Sequence, residues 1–315
     1  MTEAPVEASR HPRIPTVETE TVRRALSATA AAGAACVAYG VLIERRWYRL
    51  ARIEVPGVLR AAGRLTILHV SDVHLVPGQD HRVRFLAGLA DEDYDLVVAT
   101  GDLVGALDAE SAAVDAVAPL TSRDRPGLVV LGSNDWYAPV LKSPLAYLTD
   151  PQRRSHGAPL DTDRLIDRLA RHGYHTLRDA TLRLPTSAGT IAIAGLDDPH
   201  LDPQTLPDAQ TLRIDDGDGS EVLRLGLVHS PYLAALDVLV DAGSDLLLAG
   251  HTHGGQVRLP GIGALVDNCD LPLDQARGLS RHRGRPLHVS VGLGHSRYAP
   301  FRFACRPEAT LLTLS

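Results

Sequence analysis

From Leu65 onward the chain repeats one pattern, a short apolar run that stops at a polar cluster. The runs are LTILHVSDVH, DLVVATGD, GLVVLGSND, TIAIAGLDD, LRLGLVHS, DLLLAGHTH, LHVSVGLG and ATLLTL. Between several of them lie stretches with apolar residues three and four apart: HRVRFLAGLADED, DAESAAVDAVAPL, DTDRLIDRLARHG and PYLAALDVLVDAG. Short Val/Ile/Leu runs of this kind are strands buried on both faces, and the intervening period near 3.6 marks amphipathic helices. The pattern predicts an α/β fold with buried sheets. Strands crowd together after residue 190 with fewer helices between them, which predicts a second sheet. PTSAG and DDGDGS read as turns.

The N-terminal part follows different rules. Residues 1–20 are polar and aperiodic and read as a disordered tail. Residues 21–46 contain nineteen consecutive uncharged positions between Arg24 and Glu44. A bilayer span needs about 20 mainly apolar residues, so the length suffices. An uncleaved membrane anchor, a Tat-type signal led by Arg23-Arg24 and a soluble surface helix are the competing readings, and the flanking charges favour the anchor. Arg45, Arg46, Arg49 and Arg52 after the segment outnumber Arg23 and Arg24 before it. That bias puts the C-terminal side in the cytoplasm, countered by Arg10 and Arg13, and export is the alternative. Residues 47–64 form a linker with a lead-in strand, and residues 65–315 the main domain.

Composition narrows the chemistry. A net charge of −6, a pI near 6.1 and 4% aromatics give no footprint for nucleic acid. Cys36, Cys269 and Cys305 are far apart and form no CxxC pair, so neither a disulfide framework nor a thiolate zinc site is expected. The fourteen histidines are more informative, because several follow the apolar runs directly.

In open α/β sheets ligands bind beyond the carboxyl ends of the strands. Five polar clusters stand there: Asp72 with His74, Asp102, the GSND turn (132–135), His229, and His251 with His253. In extended backbone, residues i and i+2 project to one side, so Asp72 with His74 and His251 with His253 are each expected to act as a pair. Any one cluster is more often a turn, a cap or a satisfied histidine. Together they supply more carboxylates and imidazoles than one tetrahedral ion takes, a donor set that suits two Zn, Mn or Fe ions acting on a phosphate ester.

At this point the chain resembles a known family. D-x-H, GD, a GN-H-D-like turn, a lone histidine and GHTHGG occur in the order found in calcineurin-like metallophosphoesterases, over roughly residues 65–315. The resemblance is closest to the bacterial membrane-associated branch, with its N-terminal anchor or signal and a GLG near the C-terminus, here Gly292-Leu293-Gly294. That branch includes relatives that hydrolyse UDP-2,3-diacylglucosamine. The resemblance implies two packed mixed β-sheets flanked by helices, a four-layer sandwich. It implies Asp72, His74 and His253 on a first metal, Asp102 bridging, and His229 and His251 on a second. A hydroxide shared by the two divalent transition-metal ions would attack phosphorus.

The turn departs from the family pattern. Aligned without a gap, Ser133 falls on the asparagine that binds the second metal and Asn134 on the histidine that contacts phosphate or protonates the leaving group. A serine hydroxyl is a poor ligand and an amide has no titratable proton. If instead the turn slips by one residue, Asn134 supplies its amide oxygen to the metal. Asn134 lines the site either way, Ser133 remains a weak candidate ligand, and Asp135 is expected to brace the turn. Asp197 to His200 reads as a turn or substrate rim, and His295 is a remote candidate for the missing acid. Lys142, Arg153, Arg154 and His156 could form a rim for an anionic headgroup.

The expected activity is hydrolysis of a phosphodiester or a nucleotide-diphospho-lipid by a membrane-associated protein, with a lipid-linked phosphoester among the expected substrates. The alternatives are a non-catalytic metal- or nucleotide-binding membrane protein, with GSND as the mark of lost catalysis, and an unrelated metallohydrolase such as an amidase. Metal identity and oligomeric state are open.

Overall fold

The computed structural model of the protein describes residues 19–141, 156–214, 220–295 and 297–315. Residues 1–18 of the expected disordered tail and the rim residues Lys142, Arg153 and Arg154 lie outside the described residues, while Thr19 and Glu20, counted with that tail, open a helix.

The apolar N-terminal segment is one helix, α1 (Thr19–Leu42), and its part up to Ala38 is a compact unit of its own. Its side chains from Thr21 to Ala38 are exposed. Within Thr21–Arg46 an 18-residue window has a mean hydropathy of 1.8, long and apolar enough to cross a membrane, a property that signal sequences share.

In the second unit, Tyr39–Ser315, all eight apolar runs are strands. The first sheet holds β1 (Arg49–Val55), β2 (Leu65–Val70), β3 (Leu96–Ala99), β4 (Gly127–Val129), β5 (Tyr174–Thr176) and β14 (Glu308–Leu314), in the order β1-β14-β2-β3-β4-β5. The second holds β6 (Ala180–Thr186), β7 (Gly189–Gly195), β8 (Leu223–Leu227), β9 (Leu246–Ala249), β12 (Gly278–His282) and β13 (Arg285–Val289), in the order β12-β13-β9-β8-β7-β6. A small ribbon pairs β10 (Arg258–Leu259) with β11 (Gly263–Ala264). Both sheets are mixed. β2, β3, β4 and β5 run parallel and β14 antiparallel to β2, while β7, β8, β9 and β13 run parallel with antiparallel edges.

Alternation along the strands builds three apolar layers. Ile67, Val98, Val130, Ile193, Leu225, Leu248 and Leu312 fill the space between the sheets. Leu68, Val70, Val97 and Val129 face the other way, onto α2 (Asp80–Leu89), α3 (Glu110–Val117) and α5 (Thr162–Arg171). Ala192, Leu247 and Val289 pack on α6 (Leu233–Asp241). The result is helix, sheet, sheet, helix, and each inner strand is apolar on both faces because both faces are covered. Helix α5 shows the local logic. Asp161 caps it by accepting the Arg164 N–H, Leu165 and Leu169 face the core, and Arg164 forks onto the Glu110 carboxylate of α3 at 2.7 Å.

One local expectation changes. GSND is not a free turn but the entry to a single helical turn, α4 (Ser133–Trp136), with Gly132 extended before it. Buried Asp135 accepts N–H groups from Leu103 (2.8 Å), Val104 (3.1 Å) and Gly132 (3.0 Å), the bracing role expected of it.

Candidate metal centre

The ends of β2, β3, β4, β8 and β9 deliver Asp72, Asp102, Asn134, His229, His251 and His253 to one place. Asp72 and His74 do not project together from extended backbone as the i, i+2 argument expects. β2 ends at Val70, and both residues take left-handed backbone with φ of 49° and 41°. Asp102 (52°), His251 (70°) and His253 (51°) do the same. Each such residue costs on the order of 1–2 kcal/mol, and the surrounding hydrogen bonds hold them there. Asp72 N–H donates to the Gly101 carbonyl at 2.9 Å, His74 N–H to that of Asp102 at 2.8 Å and Leu75 N–H to that of Leu103 at 2.9 Å. The ladder between β2 and β3 thus continues past both strands while its side chains are re-aimed. Clusters of left-handed non-glycine residues mark sites where the fold holds side chains against local preference.

Space at the centre is set by glycines. A Cβ on Gly132 would strike the Asp102 carboxylate and the His229 ring, and one on Gly101, at φ 84°, would strike the Gly132 amide and the same ring. These two positions let the ends of β3 and β4 pass closely enough for Asp102 to stand beside His229, which follows β8.

Two donor groups result. Asp72, His74 and His253 converge, and Asp72 also stands with Asp102 and His229, each set within 4.8 Å. His74 Nε2 lies 3.1 Å from His253 Nε2 and 3.3 Å from Asp102 Oδ2, and His253 Nε2 is 3.3 Å from Asp72 Oδ1. Burial pushes His74 down to about 4 and His253 well below the usual histidine range. Both rings are therefore neutral, with nitrogens facing each other. His229 Nδ1 donates to the Thr100 carbonyl at 2.5 Å, which turns its buried Nε2 toward Asp102 Oδ2 at 3.5 Å with no hydrogen-bond partner of its own. A backbone carbonyl that fixes one ring nitrogen and leaves the other bare is how ligand histidines are oriented. Neutral facing imidazoles, a bare buried nitrogen and two carboxylates fit divalent transition-metal ions.

Electrostatics differ around the centre. Burial alone would lower His229 and raise Asp102. Their mutual attraction outweighs it, holding His229 well above and Asp102 well below their usual ranges, so the metal-free pair is ionic. Asp72 is pushed up to about 6, first by burial, although Ser71 Oγ at 2.6 Å and the His251 N–H at 3.0 Å support its charge. His251 falls well below its usual range through burial and the neighbouring His200, and its Nε2 lies 3.2 Å from the Asn268 carbonyl.

Within α4 it is Asn134 that reaches the centre. Its backbone N–H donates to Asp102 Oδ1 at 2.8 Å and its Nδ2 to Asp102 Oδ2 at 2.7 Å. Ser133 is half-buried beside it.

Several neighbours were not singled out as site groups by the sequence, or were read differently. The His200 ring stands 4.7 Å from that of His251, and Tyr232 Oη holds His200 Nδ1 at 2.9 Å. Asp198 is buried, not a mere turn residue, and the nearby His229 partly offsets the burial that raises it. Fully buried Arg302 donates to the carbonyls of Val291 (2.9 Å), Gly292 (3.1 Å) and Gly294 (2.6 Å), fixing the loop against which Asp72 packs. Only the position of His200 after a strand hinted at this. The contacts of His200 and Asp198 join residues some thirty or more positions apart, and those of Arg302 close a loop without any periodic signal. His295 turns its Nε2 toward Arg45 at 3.4 Å, so the geometry gives no support to a proton-donor role for it.

A two-sheet sandwich with carboxylates and imidazoles gathered at its strand ends defines the class: a metal-dependent hydrolase centre. The sequence profile described as calcineurin-like phosphoesterase matches residues 65–255. The metallophosphoesterase YkoQ of Bacillus subtilis is 28% identical over 269 residues, which cover 82% of this chain and 86% of that protein. Shorter stretches match the phosphodiesterase YaeI of Escherichia coli (40% over 94 residues, 29% of this chain and 32% of that protein) and the metallophosphoesterase YkuE of B. subtilis (36% over 148 residues, 46% and 45%). This chain belongs to the calcineurin-like phosphoesterase family, and it is a hydrolase acting on phosphoric esters.

Proposed function

We propose that the protein hydrolyses a phosphodiester or pyrophosphate bond with two divalent transition-metal ions, and that it works without a proton donor from its Gly132–Asp135 turn. Asp72, His74 and His253 hold the first ion, Asp102 bridges, and His229 and His251 hold the second. Such ions, when bound, provide a nucleophile at neutral pH and neutralise charge on the phosphoryl oxygens.

The residues of the chain do the rest. Thr100 orients His229, the His251 N–H and Ser71 orient Asp72, and Asn134 clamps both oxygens of Asp102. The observation that carries the reading is that clamp: it puts an amide beside the bridging carboxylate, where a titratable group would otherwise be available. An amide can donate a hydrogen bond to a phosphoryl oxygen or, rotated, offer its oxygen to a metal, but it cannot protonate a leaving group. A turn without a proton to give favours a substrate whose leaving group departs unaided, such as an aryl oxide or a phosphate of a pyrophosphate linkage. The apolar helix α1 supports a membrane anchor, and a nucleotide-diphospho-lipid satisfies both constraints.

The test is a rate screen over phosphomonoesters, diesters and nucleotide-diphospho-lipids with metal-loaded protein, beside His251→Ala. Turnover of pyrophosphate-linked lipids, lost in His251→Ala, is the expected result. Two bound ions with no turnover across the panel would overturn the reading and leave a binding protein.

A further inference from the structure

A second cavity, of about 360 Å³, opens between the first turn of α2 and the turn Glu44–Arg46 that follows α1 in the chain. Its wall carries four guanidinium groups, Arg45, Arg46, Arg82 and Arg84, with His81 and His295 beside them. Asp80 is the one carboxylate on the wall. Among the described residues no ion pair joins any of these four arginines to a carboxylate.

The arginines are not all held by other groups. Buried Arg82 donates to the carbonyls of Val73 and His74 (2.9 Å to the latter) and to Gln79 Oε1 at 2.7 Å, so it is anchored. Arg84 leans on the Asp80 carbonyl and the His81 ring. Among the described residues Arg45 hydrogen-bonds only His295 Nε2, and its buried Nε has no partner among them. An unmet guanidinium N–H is costly, and clustered like charges repel. An anion in the cavity answers both. Gly78, Gln79 and Asp80 add the N-terminal end of the ten-residue α2, whose free amides and dipole favour negative charge.

We propose that this cavity binds a phosphate group, distinct from the phosphoryl group that is cleaved. Planar guanidinium forks match phosphate oxygens two at a time, and a volume of this order suits a phosphate with a small appended group. A nucleobase is a poor occupant, because the only aromatic ring on the wall apart from histidine, Tyr48, is already stacked on Phe85 at 5.1 Å. The phosphate can belong to a free anion or to the headgroup of a phospholipid. Arg45 and Arg46 stand three and four residues after Leu42, the last residue of the apolar helix, which puts the headgroup within chain reach. The site does not depend on the hydrolytic reading, since binding there needs no turnover.

The full chain in neutral-detergent micelles tests this. In a Trp136→Phe background Trp47, next to Arg46, is the sole tryptophan, so binding at the metal centre is not read. Inorganic phosphate should give a saturable change in Trp47 fluorescence and, in chelator-treated protein, broaden the ³¹P line. Arg45→Gln combined with Arg46→Gln should weaken binding by about tenfold or more, and Arg45→Lys should retain most of it. Repeating the titration in phosphatidylglycerol and phosphatidylcholine vesicles separates the sources. Loss of the phosphate response only in phosphatidylglycerol assigns the site to a headgroup, and retention in both assigns it to a free phosphate. No saturable response by either readout, or an equal response in the double variant, overturns the proposal.

Discussion

In one half of the proposed centre Asp72 and His74 stand on left-handed backbone locked by a ladder between two loops, with His253 facing them, whereas in the other His229 and His251 rest on separate supports. His229 hangs from the Thr100 carbonyl, His251 stands 3.2 Å from the Asn268 carbonyl, and Asn134 reaches Asp102 from a single helical turn. The first half carries neutral imidazoles, and the second a protonated His229 paired with Asp102. Under the proposed ligand set, one half would meet its ion with neutral rings and the other would exchange a proton for its ion, and the latter is also the half where the chain departs from the family's motif.

The largest effect is expected where the halves join. Asp102 stands 3.3 Å from His74 and 3.5 Å from His229, so Asp102→Ala should remove both ions and cut kcat/KM by about 10³-fold or more. Metal content by mass spectrometry together with steady-state rates checks this, and retention of one tight ion would show the halves to be more independent than described. Next, Asn134→His should restore a titratable group and raise rates on alkyl esters by about 10- to 100-fold while leaving aryl esters within a fewfold. His200 packs beside the His251 ring and bonds Tyr232 Oη, so in His200→Gln alkyl and aryl rates should fall together. A larger alkyl loss would identify His200 as the proton donor.

Smaller effects follow from charge. The pKa of His229 is raised by its partner, so at pH 7 the metal-free ring holds a proton that an ion must displace. Calorimetry in buffers of different ionisation enthalpy should detect about one proton released on filling the second position, and its affinity should rise with pH. Asp72 and Asp135 have folded values raised to about 6 and about 7, chiefly by burial. A carboxyl raised in the folded state binds its proton more tightly folded than unfolded. The stability these two groups contribute is therefore greatest below about pH 4 and is lost as pH rises toward 7. Melting temperatures in chelator should show a decline across that window attributable to them, and Asp135→Asn should flatten it.

The fold was largely legible because burial on both faces writes itself into composition. Every apolar run became a strand, and each amphipathic stretch a helix. Strands β5, β6 and β10 to β12 escaped notice because they are short, exposed on one side or, in β6, interrupted by Pro185. At the site, Asp72, His74, Asp102, His229, His251 and His253 were legible as residue types at strand ends, but their orientation was not. Positive φ at five of them replaced the extended geometry that spacing suggests. Asp198 was legible only as part of a turn or substrate rim, Arg302 was missed because its loop contacts leave no periodic signal, and the cavity around Arg45 was invisible because its walls come from distant parts of the chain.

The central claim is that a metal-loaded centre works beside a turn that has no proton to give. Its most direct test is the ratio of kcat/KM for a p-nitrophenyl phosphodiester over an alkyl phosphodiester of the same charge. A general acid is worth about 10²- to 10⁴-fold, so a ratio of at least about 10² is predicted, collapsing in Asn134→His. Equal rates on the two esters in the unmodified protein would contradict the account.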